Sequence, residues 1–129
     1  MSSKFPKKER LKREILIRRL FDEGKSITSY PLKLIYLPVH SPAEVKIQCG
    51  VAVSSRNFKS AVKRNRIKRL LRENYRLNKE KNFNNIEGSF AFLFLYLGKE
   101  MPRYEDVERH MKVILKQFLI KISNEDPVK

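Results

Sequence analysis

The sequence predicts a single-domain α-β sandwich of the α+β class, with a central, mainly antiparallel sheet. Three observations predict it: apolar residues recur at helical spacing in three segments, one segment alternates with a period of two, and one short run is apolar throughout. The length of 129 residues suits one domain, which we assign to residues 1–129. The expected element order is α-β-β-α-β-α.

The N-terminal third predicts a basic arm followed by a helix. Residues 1–8 are basic and polar and are predicted to form a flexible arm. Apolar side chains then recur at helical spacing from Glu9 to Glu23, and Gly24 is a natural end for that helix. Residues 26–31 have the composition of a turn.

Two strands are predicted next. Leu32–Leu37 is an apolar run bounded by prolines, and Val45–Ser54 alternates between apolar and small or polar residues. We expect these strands to pair as a hairpin across the loop 40–44. Cys49 lies on the apolar side of the second strand and is predicted to be a buried thiol.

The second half of the chain predicts a helix, a strand and a last helix. A basic turn at 55–59 leads to a helix over Ser60–Lys79. Phe90–Leu97 is apolar on both faces, as expected for a central strand. Pro102 suits the first turn of the last helix, and residues 124–129 are predicted to form a frayed tail. The apolar stripe of the last helix comprises Tyr104, Val107, Met111, Ile114, Leu115, Phe118 and Ile122.

The charge balance indicates a polyanionic partner. The chain has 29 Lys and Arg against 14 Asp and Glu, a formal net charge of +15. Such a charge attracts nucleic acids or anionic membranes. No apolar run approaches the roughly 20 residues that span a bilayer, and the N-terminus lacks the apolar stretch of a secretory signal. We therefore expect a nucleic-acid partner and no membrane association.

Cysteine content indicates the compartment. Cys49 is the only cysteine, so neither an intrachain disulfide nor a thiolate zinc site can form. This composition is typical of a reducing compartment, and we expect the protein to be cytoplasmic.

The most informative segment is 56–76, which carries nine cations and one acid, Glu73. On a helical wheel, the side expected to pack on the sheet comprises Ile67, Leu70, Leu71 and Tyr75. The opposite side comprises Asn65, Lys68, Arg69, Arg72 and Arg76. Glu73 lies four residues after Arg69, a spacing that favours an ion pair.

This cationic helix suits a phosphate backbone. The guanidinium fork can bridge phosphate oxygens, and an asparagine adds a donor and an acceptor for riboses or base edges. The predicted RNA-binding residues are Arg56, Lys59, Lys63, Arg64, Asn65, Arg66, Lys68, Arg69, Arg72 and Arg76.

The run from Ala61 to Glu73, AVKRNRIKRLLRE, resembles the RNR signature of the bacterial ribonuclease P protein family. That family places the signature after a strand ending in Val-Ser, and Val53-Ser54 stands there. Residues 10–12 and 20–26 resemble the family's first helix and the turn that follows it. The resemblance covers about residues 7–120.

The resemblance implies two RNA surfaces. The basic helix would dock on the catalytic RNA of ribonuclease P, and a cleft between the first helix and the sheet would hold the 5′ leader of precursor tRNA. Tyr36 is the nearest counterpart of a tyrosine in the family's first strand, although the alignment sets Ile35 opposite it. The family often has an aromatic residue where this chain has Ile17. The leader cleft implied by the resemblance comprises Ile17, Phe21, Lys25 and Tyr36.

The resemblance also implies an activity and a fold detail. The protein would promote endonucleolytic removal of the leader by the catalytic RNA, with Mg²⁺ bound mainly by that RNA and no metal or catalytic residue on the protein. The implied partners are the catalytic RNA and precursor tRNA, with no obligate protein partner. The family fold contains a left-handed β-α-β crossover, and the loop 55–60 is one residue longer here than its common form.

An independent nuclease is one alternative. Protein-based phosphodiester hydrolysis usually needs clustered carboxylates that hold metals, or a histidine acid–base pair. The three aspartates Asp22, Asp106 and Asp126 are scattered, and the acids at 105–108 suit the dipole of a helix N-terminus. The sequence therefore predicts no protein active site.

Three binding proteins are further alternatives. An RNA-recognition module would use an aromatic strand, which Gly88–Phe94 faintly resembles, but Ser89 breaks the spacing and we expect these aromatics in the core. A DNA-binding protein would place residues 60–79 in a major groove. A ribosomal or other structured-RNA-binding protein without a role in cleavage also fits the charge.

Overall fold

The computed structural model describes residues 14–40, 46–83 and 88–124. The predicted arm at 1–8, the start of the predicted first helix at 9–13 and residues 125–129 of the predicted tail at 124–129 lie outside the described residues, as does most of the loop 40–44. The elements are α1 (Glu14–Glu23), β1 (Lys25–Ser29), β2 (Leu32–Pro38), β3 (Ile47–Val53), α2 (Ala61–Phe83), β4 (Phe90–Tyr96) and α3 (Tyr104–Asn124).

The four strands form one sheet in the order β1-β2-β4-β3. β2 is antiparallel to both β1 and β4, whereas β3 is parallel to β4 and connects to it through α2. The mainly antiparallel α+β architecture is thus confirmed, but the predicted hairpin between β2 and β3 is wrong. β4 lies between them because it is apolar on both faces and therefore occupies the centre of the sheet.

The structure contains one strand more than the sequence predicted. Residues Lys25–Ser29 form β1, an edge strand paired with β2 from Lys25–Tyr36 to Ser29–Leu32, so the predicted turn at 26–31 shortens to Tyr30 and Pro31. Only Ile27 of this strand is apolar and buried. A five-residue strand with one buried side chain has too weak an alternation to be recognised.

α2 and α3 cover one face of the sheet and enclose the main core. Phe118 of α3 makes edge-to-face ring contacts with Phe92 and Phe90, with centroids 4.8 and 5.1 Å apart. Cys49 is buried in this core, as predicted. The aromatic side chains of β4 lie beneath the helices, so the expectation that they belong to the core is confirmed.

α1 covers the other face of the sheet. Leu20 packs there on a smaller cluster that comprises Ile35, Leu37, Ala91 and Leu93. Gly24 ends α1 so close to β2 that a Cβ atom would overlap the carbonyl oxygen of Leu20 and would lie 2.7 Å from Cγ2 of Ile35. The glycine therefore sets how closely α1 approaches the sheet.

α2 is longer than predicted and carries two buried asparagines. The Ser60 hydroxyl accepts a bond from the Lys63 amide at 3.2 Å, which caps the helix start. Asn74 and Asn78 lie on the buried side, and their amide groups donate to the carbonyl oxygens of Leu70 and Asn74, at 3.0 and 2.7 Å. These bonds to the preceding turn let polar side chains occupy a face that the sequence predicted to be apolar.

Candidate nucleic-acid interface

The predicted RNA-binding residues form a largely exposed surface on α2 and on the loop that precedes it. Seven are exposed, namely Arg56, Lys59, Lys63, Asn65, Arg66, Arg69 and Arg72. Three are half-buried, namely Arg64, Lys68 and Arg76. Ile67, Leu71 and Tyr75 are buried on the opposite side, as predicted. Lys68 and Arg76, which the helical wheel assigned to the exposed side, are half-buried. We call the exposed set the α2 cationic surface.

The charges of this surface have no carboxylate partners within the described part of the chain. Arg69 and Glu73 do not form the expected ion pair, and neither has another ion-pair partner among the described residues. Three cations on the other helices are paired within their own helix: Arg19 with Glu23 on α1, and Arg109 with Asp106 and Lys112 with Glu108 on α3. Unpaired cations of this density repel one another and attract a polyanion.

The position of the charges on α2 opposes the helix dipole. The first turn of α2 holds no acidic residue and includes Lys63 and Arg64, whereas the first turn of α3 contains Glu105 and Asp106. Cations near a helix N-terminus are unfavourable by about 0.3–1 kcal/mol each at exposed positions. The arrangement on α2 is therefore suited to binding an anion and not to stabilising the helix.

The loop 54–60 is fixed in place before α2 begins. Ser54 accepts the Arg56 amide on its hydroxyl and the Phe58 amide on its carbonyl, each at 3.1 Å. The Phe58 ring is buried against Tyr96, with centroids 6.0 Å apart. The side-chain amide of Asn57 donates to the carbonyl oxygen of Gly98 at 3.4 Å.

Arg64 takes part in this loop. Its Nη1 atom donates to the carbonyl oxygens of Phe58 at 2.7 Å and Lys59 at 3.1 Å. Arg64 is thus the one member of the predicted set whose side chain bonds to the protein itself in the described residues. The sequence missed this role, since a run of cations gives no signal of which one turns back to the chain.

Tyr96 lies beside the same loop. Its hydroxyl donates to the carbonyl oxygen of Glu100 at 2.6 Å, and burial raises the pKa of this phenol above its ordinary value. A Cβ atom on Gly98 would lie 2.5 Å from the hydroxyl oxygen, so Gly98 leaves the space that this ring occupies.

The second predicted surface is the face that α1 covers. Phe21 is 57% exposed at the C-terminal end of α1, Ile17 is half-buried against the sheet, and Lys25 is exposed at the start of β1. Ile17 and Phe21 both belong to α1 and therefore lie at this face. Lys25 pairs with Tyr36 in the register, so its side chain is directed to the side of the sheet that α2 and α3 cover, and the structure does not bring it together with Ile17 and Phe21.

Tyr36 does not belong to this face, so its predicted place in the leader cleft is wrong. It is 2% exposed and makes an edge-to-face contact with Phe118 of α3, with centroids 5.0 Å apart. Ile35 is the residue of β2 that points towards α1, where it packs with Leu20. Neighbouring strand residues point to opposite faces, so the one-residue shift moves the site to the other side of the sheet.

Beside α1, the sheet surface on this side is formed mainly by apolar or small side chains. The registers align Gln48 with Ala91 and Leu37, then Gly50 with Leu93 and Ile35. Ala52 aligns with Leu95 and Lys33. Gln48 and Lys33 are thus the polar side chains of these rows, and neither is among the residues predicted for this cleft from the sequence. Their place opposite the apolar side of each strand was the available signal.

The described residues hold no group of three or more His, Cys, Asp and Glu side chains that could together bind a metal ion. Within 14–40, 46–83 and 88–124, no helix is long and apolar enough to cross a membrane.

Comparison with known sequences identifies a family. The family model for ribonuclease P matches residues 5–119. The chain is similar to the ribonuclease P protein component of Porphyromonas gingivalis, with 35% identity over 124 residues, covering 94% of this chain and 88% of that protein. It is 37% identical over 112 residues to the ribonuclease P protein component of Chlorobium phaeobacteroides, covering 77% of each chain.

Comparison with solved structures agrees on the fold. The ribonuclease P protein of Thermotoga maritima superposes with a TM-score of 0.66 and 25% identity, covering 84% of this chain and 96% of that one. The ribonuclease P protein of Staphylococcus aureus has the same TM-score at 20% identity, covering 84% of this chain and 93% of that one.

An α+β domain that displays unpaired cations along one helix is typical of nucleic-acid-binding proteins. With the family model matched over residues 5–119, the chain belongs to the ribonuclease P protein family.

Proposed function

We propose that this protein is the protein subunit of ribonuclease P. It binds the catalytic RNA and the 5′ leader of precursor tRNA, and so promotes endonucleolytic removal of the leader to give the mature tRNA 5′ end. The observation that carries the proposal is the α2 cationic surface, whose cations lack carboxylate partners in the described residues. One of them, Lys63, also lies in the first turn of α2, where a positive charge opposes the helix dipole.

The α2 cationic surface is the proposed docking site for the catalytic RNA. Arg66, Arg69 and Arg72 are exposed on α2, where rows one helical turn apart offer guanidinium forks to successive phosphates. Neutralising phosphates releases counterions, so this contact should weaken steeply with salt.

The face beside α1 is the proposed leader site. The exposed ring of Phe21 is suited to stacking on a base. Gly50 and Ala52 carry no long side chain on this face, which suits an unpaired strand of RNA lying over the sheet.

Catalysis is proposed to belong to the RNA subunit and the Mg²⁺ ions that it holds, with the protein supplying binding. Asp106 supports this view, because it pairs with Arg109 on α3, and Glu105 beside it lies in the first turn of that helix. No obligate protein partner is proposed, and the proposed site of action is the cytoplasm, where bacteria process precursor tRNA.

A competition assay tests the proposal. Labelled cognate catalytic RNA is bound to the protein and challenged with a ribosomal RNA fragment of equal length and with duplex DNA. The proposal predicts that neither competitor displaces the catalytic RNA efficiently. Equal displacement by the ribosomal fragment would favour a general structured-RNA-binding protein, and preferential displacement by duplex DNA would favour a DNA-binding protein.

A further inference from the structure

Arg64 differs from Arg66, Arg69 and Arg72 in its place on the helix. It lies about two and three turns before Leu71 and Tyr75, on the side of α2 that is buried. Asn65, Arg69 and Arg72 lie on the exposed side. A guanidinium that starts from the buried side cannot line up with the exposed row, which explains why that of Arg64 turns towards the preceding loop.

The two hydrogen bonds of Arg64 act on the loop at its least supported point. Residues 54–58 are held by the bonds of Ser54 and by the buried ring of Phe58, and the helix cap begins at Ser60. The carbonyl oxygens of Phe58 and Lys59 lie between these two anchors, and Arg64 Nη1 binds both, at 2.7 and 3.1 Å. Charge-assisted hydrogen bonds are stronger than neutral ones, so this single atom closes the loop onto the helix.

The loop held in this way carries two exposed cations. Arg56 and Lys59 have no hydrogen-bond or ion-pair partner for their side chains among the described residues, and only the loop backbone fixes where they project. Lys59 lies two residues before α2 and therefore next to its first turn.

We propose that Arg64 is a positioning residue of the α2 cationic surface: its guanidinium, bonded to the carbonyl oxygens of Phe58 and Lys59, sets the loop so that Arg56 and Lys59 add to the phosphate-binding cations of the helix. This inference rests on the proposed function, because it assigns the α2 cationic surface to RNA. The inference goes beyond the proposed function because Arg64 acts here through Arg56 and Lys59. Its position in the sequence alone would suggest that it contacts a phosphate directly.

Substitution of Arg64→Ala, with Arg66→Ala as the matched control, separates the two roles. Each variant loses one positive charge. If Arg64 acts only as a contact, each loses about 0.7–0.9 units from the slope of log K against log salt. If Arg64 positions the loop, the slope falls by the equivalent of about two to three phosphates, and affinity near 0.15 M salt falls about 4- to 30-fold further than for Arg66→Ala.

A double-mutant cycle tests the coupling itself. The pair Arg56→Ala and Lys59→Ala should weaken RNA binding strongly in the parent protein and much less in the Arg64→Ala background, since the loop is already displaced there. Equal losses in both backgrounds would overturn the proposal.

Amide hydrogen exchange of the free protein gives a readout without RNA. Faster exchange confined to residues 55–60 in Arg64→Ala, with β4 and α3 unchanged, supports positioning. Unchanged loop exchange, or exchange raised throughout the fold, contradicts it. If the Arg66→Ala and Arg69→Ala variants retain full RNA affinity, the proposed function fails, and the loop measurement still decides the role of Arg64.

Discussion

Phe21 and Tyr36 lie on opposite sides of the sheet. Phe21 projects from α1, which packs on the face that contains Ile35, while Tyr36 packs edge-to-face on Phe118 of α3. Of these two aromatics, only Phe21 is exposed enough to stack on an RNA base, at 57% against 2%.

Replacement of Phe21 by alanine should therefore weaken leader binding. Stacking of one base on an aromatic ring contributes about 1–3 kcal/mol, so the holoenzyme should bind leader-bearing precursor tRNA about 5- to 150-fold more weakly. Affinity for mature tRNA should not change. Tyr36→Phe is the matched control, which should keep the leader preference of the parent. Equal losses for precursor and mature tRNA in Phe21→Ala would contradict a leader site on this face.

Loss of a cation from the exposed side of α2 should weaken RNA binding without unfolding the protein. Arg69→Ala removes a side chain that has no protein partner in the described residues, so the free energy of unfolding should stay within about 0.5 kcal/mol. The salt slope for binding the catalytic RNA should fall by about 0.7–0.9 units. Lys116→Ala, on the exposed side of α3, is the control and should leave the slope unchanged. A salt titration in which both variants behave alike would reject the α2 cationic surface.

The sequence predicts the helices and β4 well because their apolar patterns are long or continuous. The facing of β2 is harder to predict. Apart from Lys33, the residues from Leu32 to Leu37 are apolar on both faces, so the pattern alone does not say whether Ile35 or Tyr36 points towards α1. The position of β4 between β2 and β3 is a long-range pairing with no local signal. Helical spacing predicts which cations of α2 are exposed. It does not predict the hydrogen bonds from Arg64 to the loop, because these depend on where the backbone carbonyl groups lie.

Gly24 should be intolerant of a side chain. In Gly24→Ala the new methyl group would overlap the Leu20 carbonyl and Ile35, and relieving the overlap should destabilise the fold by about 1–3 kcal/mol. Urea unfolding measures this change, with Ser26→Ala on the exposed side of β1 as a control within about 0.5 kcal/mol of the parent. A Gly24→Ala protein as stable as the parent would show that α1 does not depend on this close approach.

Tyr96 should make stability fall in alkaline solution. Burial raises its pKa in the folded state, so above about pH 10 the unfolded chain loses the phenolic proton while the folded chain retains it. The contribution is complete below that pH and is lost as pH rises towards the folded-state pKa. Tyr96→Phe should cost about 0.5–1.5 kcal/mol near neutrality, where the bond to Glu100 is lost.

The stability difference between parent and Tyr96→Phe should therefore narrow as pH rises above about 10. Chemical unfolding of both proteins across this range measures it, and lysine titration, which both share, cancels in the difference. A gap that stays constant with pH would contradict the raised pKa.

The most direct test of the central claim is cleavage of a precursor tRNA by the cognate catalytic RNA at low Mg²⁺, with and without this protein. We predict that the protein and its Lys116→Ala variant restore removal of the 5′ leader. The Arg66→Ala, Arg69→Ala double variant should restore it poorly, and the protein alone should not cleave. Failure of the parent protein to raise cleavage by a catalytic RNA that is active at high Mg²⁺ would contradict the claim, as would cleavage by the protein alone.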